Sequence, residues 1–201
     1  MAVESVLIIN NYGKPRLATF YHSIPPAQQQ LLIRTIFKLV SSRPDGDVCN
    51  FLDAPELDPL LQTGRPGDAT KSKSKPRGEK GEGSSTISSG QERRVIYRHY
   101  ATLWFVFVVD QSESELGILD LIQVFVESLD RFFPNVCELD LIFHYEEVNA
   151  ILAEVIQGGL VLETNISEIV KQGGCIERLE KGVIRNLVLT MISDLHRNLA
   201  Q

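Results

Sequence analysis

Cysteine is scarce in this chain of 201 residues: Cys49, Cys137 and Cys175 make an odd count of 3, and none belongs to a C-x-x-C pair. That argues for a reduced, cytosolic chain rather than one stapled by disulfides. Long apolar runs are missing as well. The longest, residues 103–109, has the length of a strand and falls far short of the roughly 18 residues that cross a bilayer. The N-terminus has no basic start and carries Glu4 inside its first apolar run, which argues against a secretory signal peptide. Metal-ligand spacing is also lacking. His22, His99, His144 and His196 sit at unrelated spacings, and His144 beside Glu146 and Glu147 reads as exposed charge at a helix start. Residues 64–72 superficially suit a phosphate loop but carry Ala69 where G-x-x-x-x-G-K-[ST] requires glycine. Asn165-Ile166-Ser167 matches a glycosylation sequon, which has no meaning without export. Neither a nucleophile elbow nor a triad spacing is present. These absences argue against an enzyme.

What is present is enough for a core: 43% of residues are hydrophobic and 23% charged, a composition that excludes a wholly disordered chain. The length suits one domain or a domain with an appendage. The net charge of -6 conceals a contrast. Residues 63–90 hold Arg65, Lys71, Lys73, Lys75, Arg77 and Lys80 against Asp68, Glu79 and Glu82, a local +3 that leaves -9 for the remainder. The same stretch has six of the 14 glycines and only Ala69 and Ile87 as apolar side chains. Such a segment buries too little surface to offset the entropy of ordering it, so disorder is expected over about 54–91. The basic run 71–80 reads as a solvated part of that insertion, with a nuclear signal or an anionic-surface patch as the alternative.

Apolar pattern and turn chemistry set the elements. Residues 3–10 read as a buried strand, Asn11-Tyr12-Gly13-Lys14 as a turn and 16–22 as a second strand. Pro25-Pro26 open a helix whose apolar stripe, Leu32, Ile33, Ile36, Phe37 and Val40, runs on to Arg43. Residues 48–52 form a third strand, and 94–100 and 102–109 a fourth and fifth in a meander beside the first hairpin. The unbroken run from Leu103 to Val109 suits a central strand covered on both faces. Ser112 and Glu115 match a capping box at the start of the next helix. That helix is apolar at Ile118, Leu121, Ile122, Phe125, Leu129, Phe132 and Phe133, with Leu116, Leu119, Val124 and Val126 on its other faces. A helix apolar over most of its circumference is expected to be covered over most of it. Residues 135–143 and 146–157 follow as helix candidates, with Gly158-Gly159 ending the latter, and Ser167 caps a short helix over 168–172. The expected architecture is an α+β single domain over 1–172, interrupted by the insertion. A tail over 173–201 has an amphipathic pattern at 183–195 that suits docking, partner binding or a divergent terminus.

Three strings go further than periodicity. Asn11-Tyr12-Gly13-Lys14-Pro15-Arg16-Leu17, Ile96-Tyr97-Arg98-His99-Tyr100-Ala101-Thr102-Leu103 and Asn135-Val136-Cys137-Glu138-Leu139-Asp140-Leu141-Ile142-Phe143 closely resemble the sigma (small) subunits of heterotetrameric clathrin-adaptor complexes. Residues 110–127, DQSESELGILDLIQVFVE, look most like the sigma subunit of the third adaptor complex. The resemblance spans about residues 1–53 and 92–172. It implies a longin-like fold, a five-stranded antiparallel sheet flanked by helices on both faces. It also implies a non-enzymatic subunit without cofactor or metal and with no nucleic-acid partner. Its partners would be two large subunits, delta-type and beta-type, and a medium mu-type subunit. A small GTPase and the membrane are engaged mainly by the other subunits. The implied place is the cytoplasmic side of Golgi, endosome and vesicle membranes, in transport to the vacuole or lysosome. A sigma subunit of another adaptor complex, a stand-alone longin module and a coatomer zeta subunit are the related alternatives.

The resemblance also implies a part in binding acidic dileucine signals, [DE]-x-x-x-L-[LI]. By motif alignment Ala101, Leu103, Val126, Val136 and Leu141 fall where sigma subunits line the leucine pockets, with Asn135 alongside. Arg16 falls where the family sets a basic residue near the acidic position. A guanidinium suits that role because its planar fork holds a carboxylate in charge-assisted hydrogen bonds. The bland reading of the same residues is five core side chains and one solvated arginine.

The composition of the insertion yields a first prediction. Replacing residues 64–90 by a short Gly/Ser linker preserves assembly, and each halving of loop length stabilises by only about 0.6 kcal/mol. Co-purification of the shortened chain with its partner subunits is the measurement. A complex that assembles but leaves the membrane would assign a function to the basic run 71–80.

Overall fold

The computed structural model describes residues 3–43, 50–57, 60 and 93–173. Five strands form one antiparallel sheet in the order β2-β1-β5-β4-β3, from β1 (Val3–Asn10), β2 (Pro15–Phe20), β3 (Phe51–Asp53), β4 (Arg93–Tyr100) and β5 (Leu103–Asp110). The expected meander beside the first hairpin is therefore present. Helix α1 (Pro26–Ser41) starts with Pro26 in its first turn, where the missing N–H costs nothing, and covers one face. Helices α2 (Glu115–Phe132), α3 (Glu138–Phe143) and α4 (Tyr145–Val155) cover the other.

The strand period sorts the core. Leu7, Ile9, Val106 and Val108 pack with Leu32, Ile36 and Val40 on the α1 side. Val6, Ile8, Phe105, Phe107 and Val109 pack with Ile122, Phe125, Leu129 and Ile151 on the other. The unbroken apolar run of β5 is covered on both faces, as expected of a central strand. Helix α2 is largely covered too: Val124 and Val126 are half-buried against the core, and Leu116 alone of its apolar side chains is exposed.

Several local expectations are corrected. The N-cap of α2 is Ser114, whose Oγ accepts from the Gly117 N–H at 3.4 Å, not Ser112. Ser112 instead donates its N–H to Asp110 at 3.0 Å, and Glu115 accepts from Arg94 at 2.9 Å, so neither is free for a capping box. The helix expected over 135–143 begins only at Glu138, because Asn135 adopts φ 60° behind Pro134 and leaves Cys137 as the N-cap. Gly158 and Gly159, at φ 59° and 82°, do more than stop a helix. They turn a two-stranded hairpin of β6 (Ile156–Gln157) and β7 (Leu160–Val161), so α4 ends at Val155. Asn165, not Ser167, caps the helical residues 166–173, accepting from the Ser167 N–H at 3.1 Å. The expected insertion also starts later. Pro55–Leu57 form a 3-10 turn that buries Ala54 and Leu57 on the α1 side, because these two apolar side chains can still reach the core. Apart from Leu60, the rest of 54–91 lies outside the described residues, as does the tail beyond Gly173.

At one end of the sheet an ion pair is buried. The Arg93 Nε donates to Glu4 Oε2 at 2.6 Å, and the two side chains are 4% and 6% exposed. A substitution that strands one member of such a pair costs about 3–5 kcal/mol, whereas an apolar pair of similar volume is often neutral. Glu4→Ala is therefore expected to speed exchange of the best-protected sheet amides on the order of a hundredfold or more. Glu4→Leu with Arg93→Met should recover most of that protection in the same hydrogen-exchange measurement. Wild-type protection in Glu4→Ala would refute the importance of the pair.

Candidate functional site

At the opposite end of the sheet two hairpin turns lie side by side. The first joins β1 to β2 and is organised by Asn10. The side-chain Oδ1 of Asn10 accepts from the N–H groups of Tyr12 at 3.0 Å and Lys14 at 2.9 Å. Gly13 completes this turn at φ 77°, where an added Cβ would lie 2.8 Å from the Phe37 ring. The second turn joins β4 to β5 through Ala101 and Thr102, between the register partners Tyr100 and Leu103. A hydrogen bond from the Asn11 N–H to the Thr102 carbonyl at 3.2 Å ties the two turns together.

The residues that the sequence singles out gather around this end, in unequal roles. Leu103, Val126 and Val136 are half-buried and pack on the helix-side core. Leu141 belongs to the same cluster but is only 1% exposed, so it is a core residue. Ala101 is exposed at the tip of its turn with φ 53°, and Asn135 is exposed with φ 60° in the link between α2 and α3. Among the described residues these two are the only non-glycines with positive φ. A left-handed backbone costs an alanine roughly 1–2 kcal/mol and an asparagine less, so two strained positions coincide with the alignment. Of the five apolar residues only Ala101 lies outside the core, and the other four fit the bland reading.

Arg16 is not a solvated arginine. Its Nε and Nη2 both meet Glu138 Oε1 at 2.7 Å, and the two side chains are 22% and 27% exposed. The Nδ2 of Asn10 donates to the same oxygen at 2.9 Å. Glu138 is the first residue of α3, the helix that carries Leu141, so one carboxylate connects the first turn, β2 and the apolar cluster. The sequence reading missed Asn10 and Glu138. The signal available for Glu138 was an acidic residue opening a helix, where the dipole favours it. Nothing in the sequence pairs it with a residue 122 positions away. Asp140 completes the local geometry by accepting from the Cys137 N–H at 2.8 Å, and this bond holds its carboxyl below the ordinary aspartate range.

A separate cleft of about 280 Å³ lies between β2, α4 and the β6–β7 hairpin, lined by Thr19, Tyr21, Asn149, Leu152, Ile156 and Gly158. It shares none of the site residues that the sequence singles out. Burial there pushes the Tyr21 hydroxyl up to about 12. Among the described residues no group of acidic, histidine and cysteine side chains is arranged to hold a metal ion, and no helix is long and apolar enough to cross a membrane.

Comparison with known proteins matches residues 2–180 to the clathrin adaptor complex small chain family. The matched region takes in part of the segment that the sequence pattern sets apart as a tail. The chain is 50% identical over 179 residues to human AP-3 complex subunit sigma-2, covering 89% of this chain and 77% of that one. It is 51% identical over 168 residues to the AP-3 complex subunit sigma of Schizosaccharomyces pombe, covering 84% and 82%. A chain of a structure described as a homology model of the full-length AP-3 complex in a stretched open conformation superposes with a TM-score of 0.61. That chain is 36% identical, and the match covers 92% of this chain and 98% of that one.

The Glu138 contacts set a pH prediction. The Asn10 amide first, and the Arg16 guanidinium next, hold the Glu138 carboxyl below the ordinary value of 4.5. A depressed folded-state value means that the contribution is complete above the unfolded value and fades as pH falls through the folded one. With both partners partly exposed, solvent screening keeps its size small. Carboxyl NMR should find Glu138 titrating below ordinary glutamate, and Asn10→Ala or Arg16→Ala should raise that midpoint. A midpoint at or above 4.5 in the wild type would refute the bonding pattern.

Proposed function

The chain belongs to the family of clathrin adaptor complex small chains, and from that membership we propose that it contributes to reading acidic dileucine signals in an AP-3-type complex. The family's small chains are structural parts of vesicle-trafficking adaptors, not enzymes. In the proposed setting the complex carries cargo from Golgi or endosomal membranes toward the vacuole or lysosome. Delta-type and beta-type large subunits and a mu-type medium subunit complete the heterotetramer. A small GTPase and the membrane are engaged mainly through those subunits.

The observation that carries the cargo reading is the meeting, at one end of the sheet, of a fixed guanidinium and a half-buried apolar cluster. Leu103, Val126 and Val136 offer apolar surface to two leucine side chains over the Leu141 floor, with Ala101 and Asn135 at the rim. Arg16 is positioned by Glu138 rather than consumed by it. Its two contacts both go to Oε1 through Nε and Nη2, which leaves Nη1 without a bond among the described residues. A cargo carboxylate on that nitrogen would be held mostly by hydrogen-bond geometry, because the Arg16–Glu138 pair is neutral overall. Small rim residues matter for access. A side chain larger than alanine at position 101 adds bulk to the exposed turn that leads into Leu103.

Assembly draws on other residues. Leu139, Ile142, Phe143 and Tyr145, on α3 and at the start of α4, are exposed at 59%, 42%, 77% and 47%. Four large exposed apolar side chains within seven positions are of the kind that subunit interfaces cover. In the proposed heterotetramer these side chains, together with Leu116, face a large subunit.

Two variants of the assembled complex test the cargo reading. Ala101→Leu should weaken dileucine peptide binding by about tenfold to a hundredfold, the equivalent of one leucine burial of about 1.5–3 kcal/mol. Assembly and thermal stability should stay near wild type, because the substituted side chain is exposed. Arg16→Ala should cost less, about 0–1 kcal/mol, with an effect that shrinks as salt rises. Tyrosine-type signals should bind both variants normally. Unchanged dileucine binding in an intact Ala101→Leu complex would overturn the site.

A further inference from the structure

We propose that Arg98 is a second acid-reading cation of the same surface, one that takes a carboxylate on the far side of the two leucines from Arg16. The inference rests on the dileucine reading above and extends it to the residues that follow the leucines. Strand alternation puts Arg98 on the helix-facing side of β4 with Ile96 and Tyr100. Its Nη1 donates to Gln123 Oε1 at 2.8 Å and to the Tyr100 hydroxyl at 3.2 Å. The Tyr100 hydroxyl donates to the same Gln123 oxygen at 2.6 Å. The guanidinium is thus aimed by two neutral groups.

Its charge sets it apart from the other arginines of the sheet. Arg16 is paired with Glu138, Arg93 with Glu4, and Arg94 with Asp53 at 3.5 Å and Glu115 at 2.9 Å. Among the described residues Arg98 has no ion-pair partner, and it is half-buried rather than free in water. One turn along α2 from Gln123 is Glu127, whose Oε1 accepts from the Gln123 amide at 2.7 Å. An oriented cation with no anion and partial shielding from solvent is what a carboxylate ligand needs, since pairing there is worth more than on an open surface.

Topology gives the position. In the order β2-β1-β5-β4, Leu103 on β5 lies between Arg16 on β2 and Arg98 on β4. Neighbouring strands are about 4.8 Å apart, so the two arginine strands stand about 14 Å from each other. Tyr100 is the register partner of Leu103, and Arg98 is two residues further along β4, roughly 7 Å. On α2, Gln123, Val126 and Glu127 share one face at helical spacing. A peptide seated on Leu103 and Val126 with its upstream acid toward Arg16 therefore carries its downstream residues past Arg98. At about 3.3 Å per extended residue, the carboxylate it meets belongs two or three positions after the leucines.

The test uses the assembled complex and fluorescent peptides that all carry the upstream acid and the dileucine, with or without a glutamate three positions after it. Anisotropy titrations should show the added glutamate tightening wild-type binding by about threefold to fivefold, as expected of a partly exposed ion pair. Arg98→Gln should abolish that gain while leaving the peptide without the second acid unaffected, and Arg98→Lys should keep part of it. Glu127→Gln, which removes the like charge bonded to Gln123, should enlarge the gain. A gain that survives Arg98→Gln, or an equal loss for both peptides, would overturn this inference and leave the dileucine reading standing. Where Arg98→Gln fails to assemble, an unchanged gain in Glu127→Gln overturns it. A wild-type complex that binds none of these peptides would overturn the dileucine reading and this inference with it.

Discussion

Strand β5 is bonded to β1 on one edge and β4 on the other, and it is packed by α1 below and by α2 and α4 above. A strand with no free edge and no free face has to be apolar along its whole length, and residues 104–109 are all buried. That single constraint places the rest. The β4–β5 hairpin must turn tightly at Ala101-Thr102 to return β4 alongside. β1 must bring its own turn to the same end of the sheet. α2, leaving the far end, must run back over Phe105 and Phe107 until Val126 lies near Leu103. The ligand-facing surface proposed here is the place where these returns converge.

Electrostatics at the two ends of the sheet differ in kind. Glu4 and Arg93 are sealed in the interior and serve the fold, each giving the other a buried opposite charge. Arg16 and Glu138 are partly open, and Asn10 shares the burden by donating to the same carboxylate oxygen that Arg16 grips. A buried asparagine that also caps its own turn makes the position of that carboxylate a property of the β1–β2 hairpin. The cation is thereby oriented without losing every donor. Arg98 reaches a similar state by another route, aimed by a glutamine and a tyrosine rather than by an acid. Charge neutralised by a neighbour gives geometry without field, whereas charge held by neutral dipoles keeps both.

The backbone contributes as much as the side chains. Ala101 and Asn135 hold left-handed conformations that glycine would adopt more cheaply, and both lie beside the apolar cluster. Asparagine tolerates this through local hydrogen bonding, while alanine accepts a cost of order 1–2 kcal/mol. At Ala101 a small, exposed side chain thus sits on a strained backbone. The exposed apolar side chains of α3 suit a subunit interface and are separate from the half-buried cluster proposed to receive the peptide.

The amino-acid sequence by itself determined the strands, their meander, the covered central strand, the proline-started first helix and the sigma-type strings that mark the family. Those features are local or periodic: alternation, helical spacing and turn residues act over a few positions and can be read without knowing what lies opposite. It misjudged the start of α2 because Ser112 and Glu115 satisfy a capping pattern on paper, while Asp110 and Arg94, brought close by the sheet, compete for the same groups. It extended α4 through Gln157 because a glycine pair ends a helix and turns a hairpin equally well. Only the tertiary structure decided that Leu141 is buried and Ala101 exposed, that Glu138 positions Arg16 from 122 residues away, and that Arg98 stands without an ion-pair partner among the described residues. Burial and pairing of charge are set by elements distant in the chain, and no local pattern encodes which of them will meet.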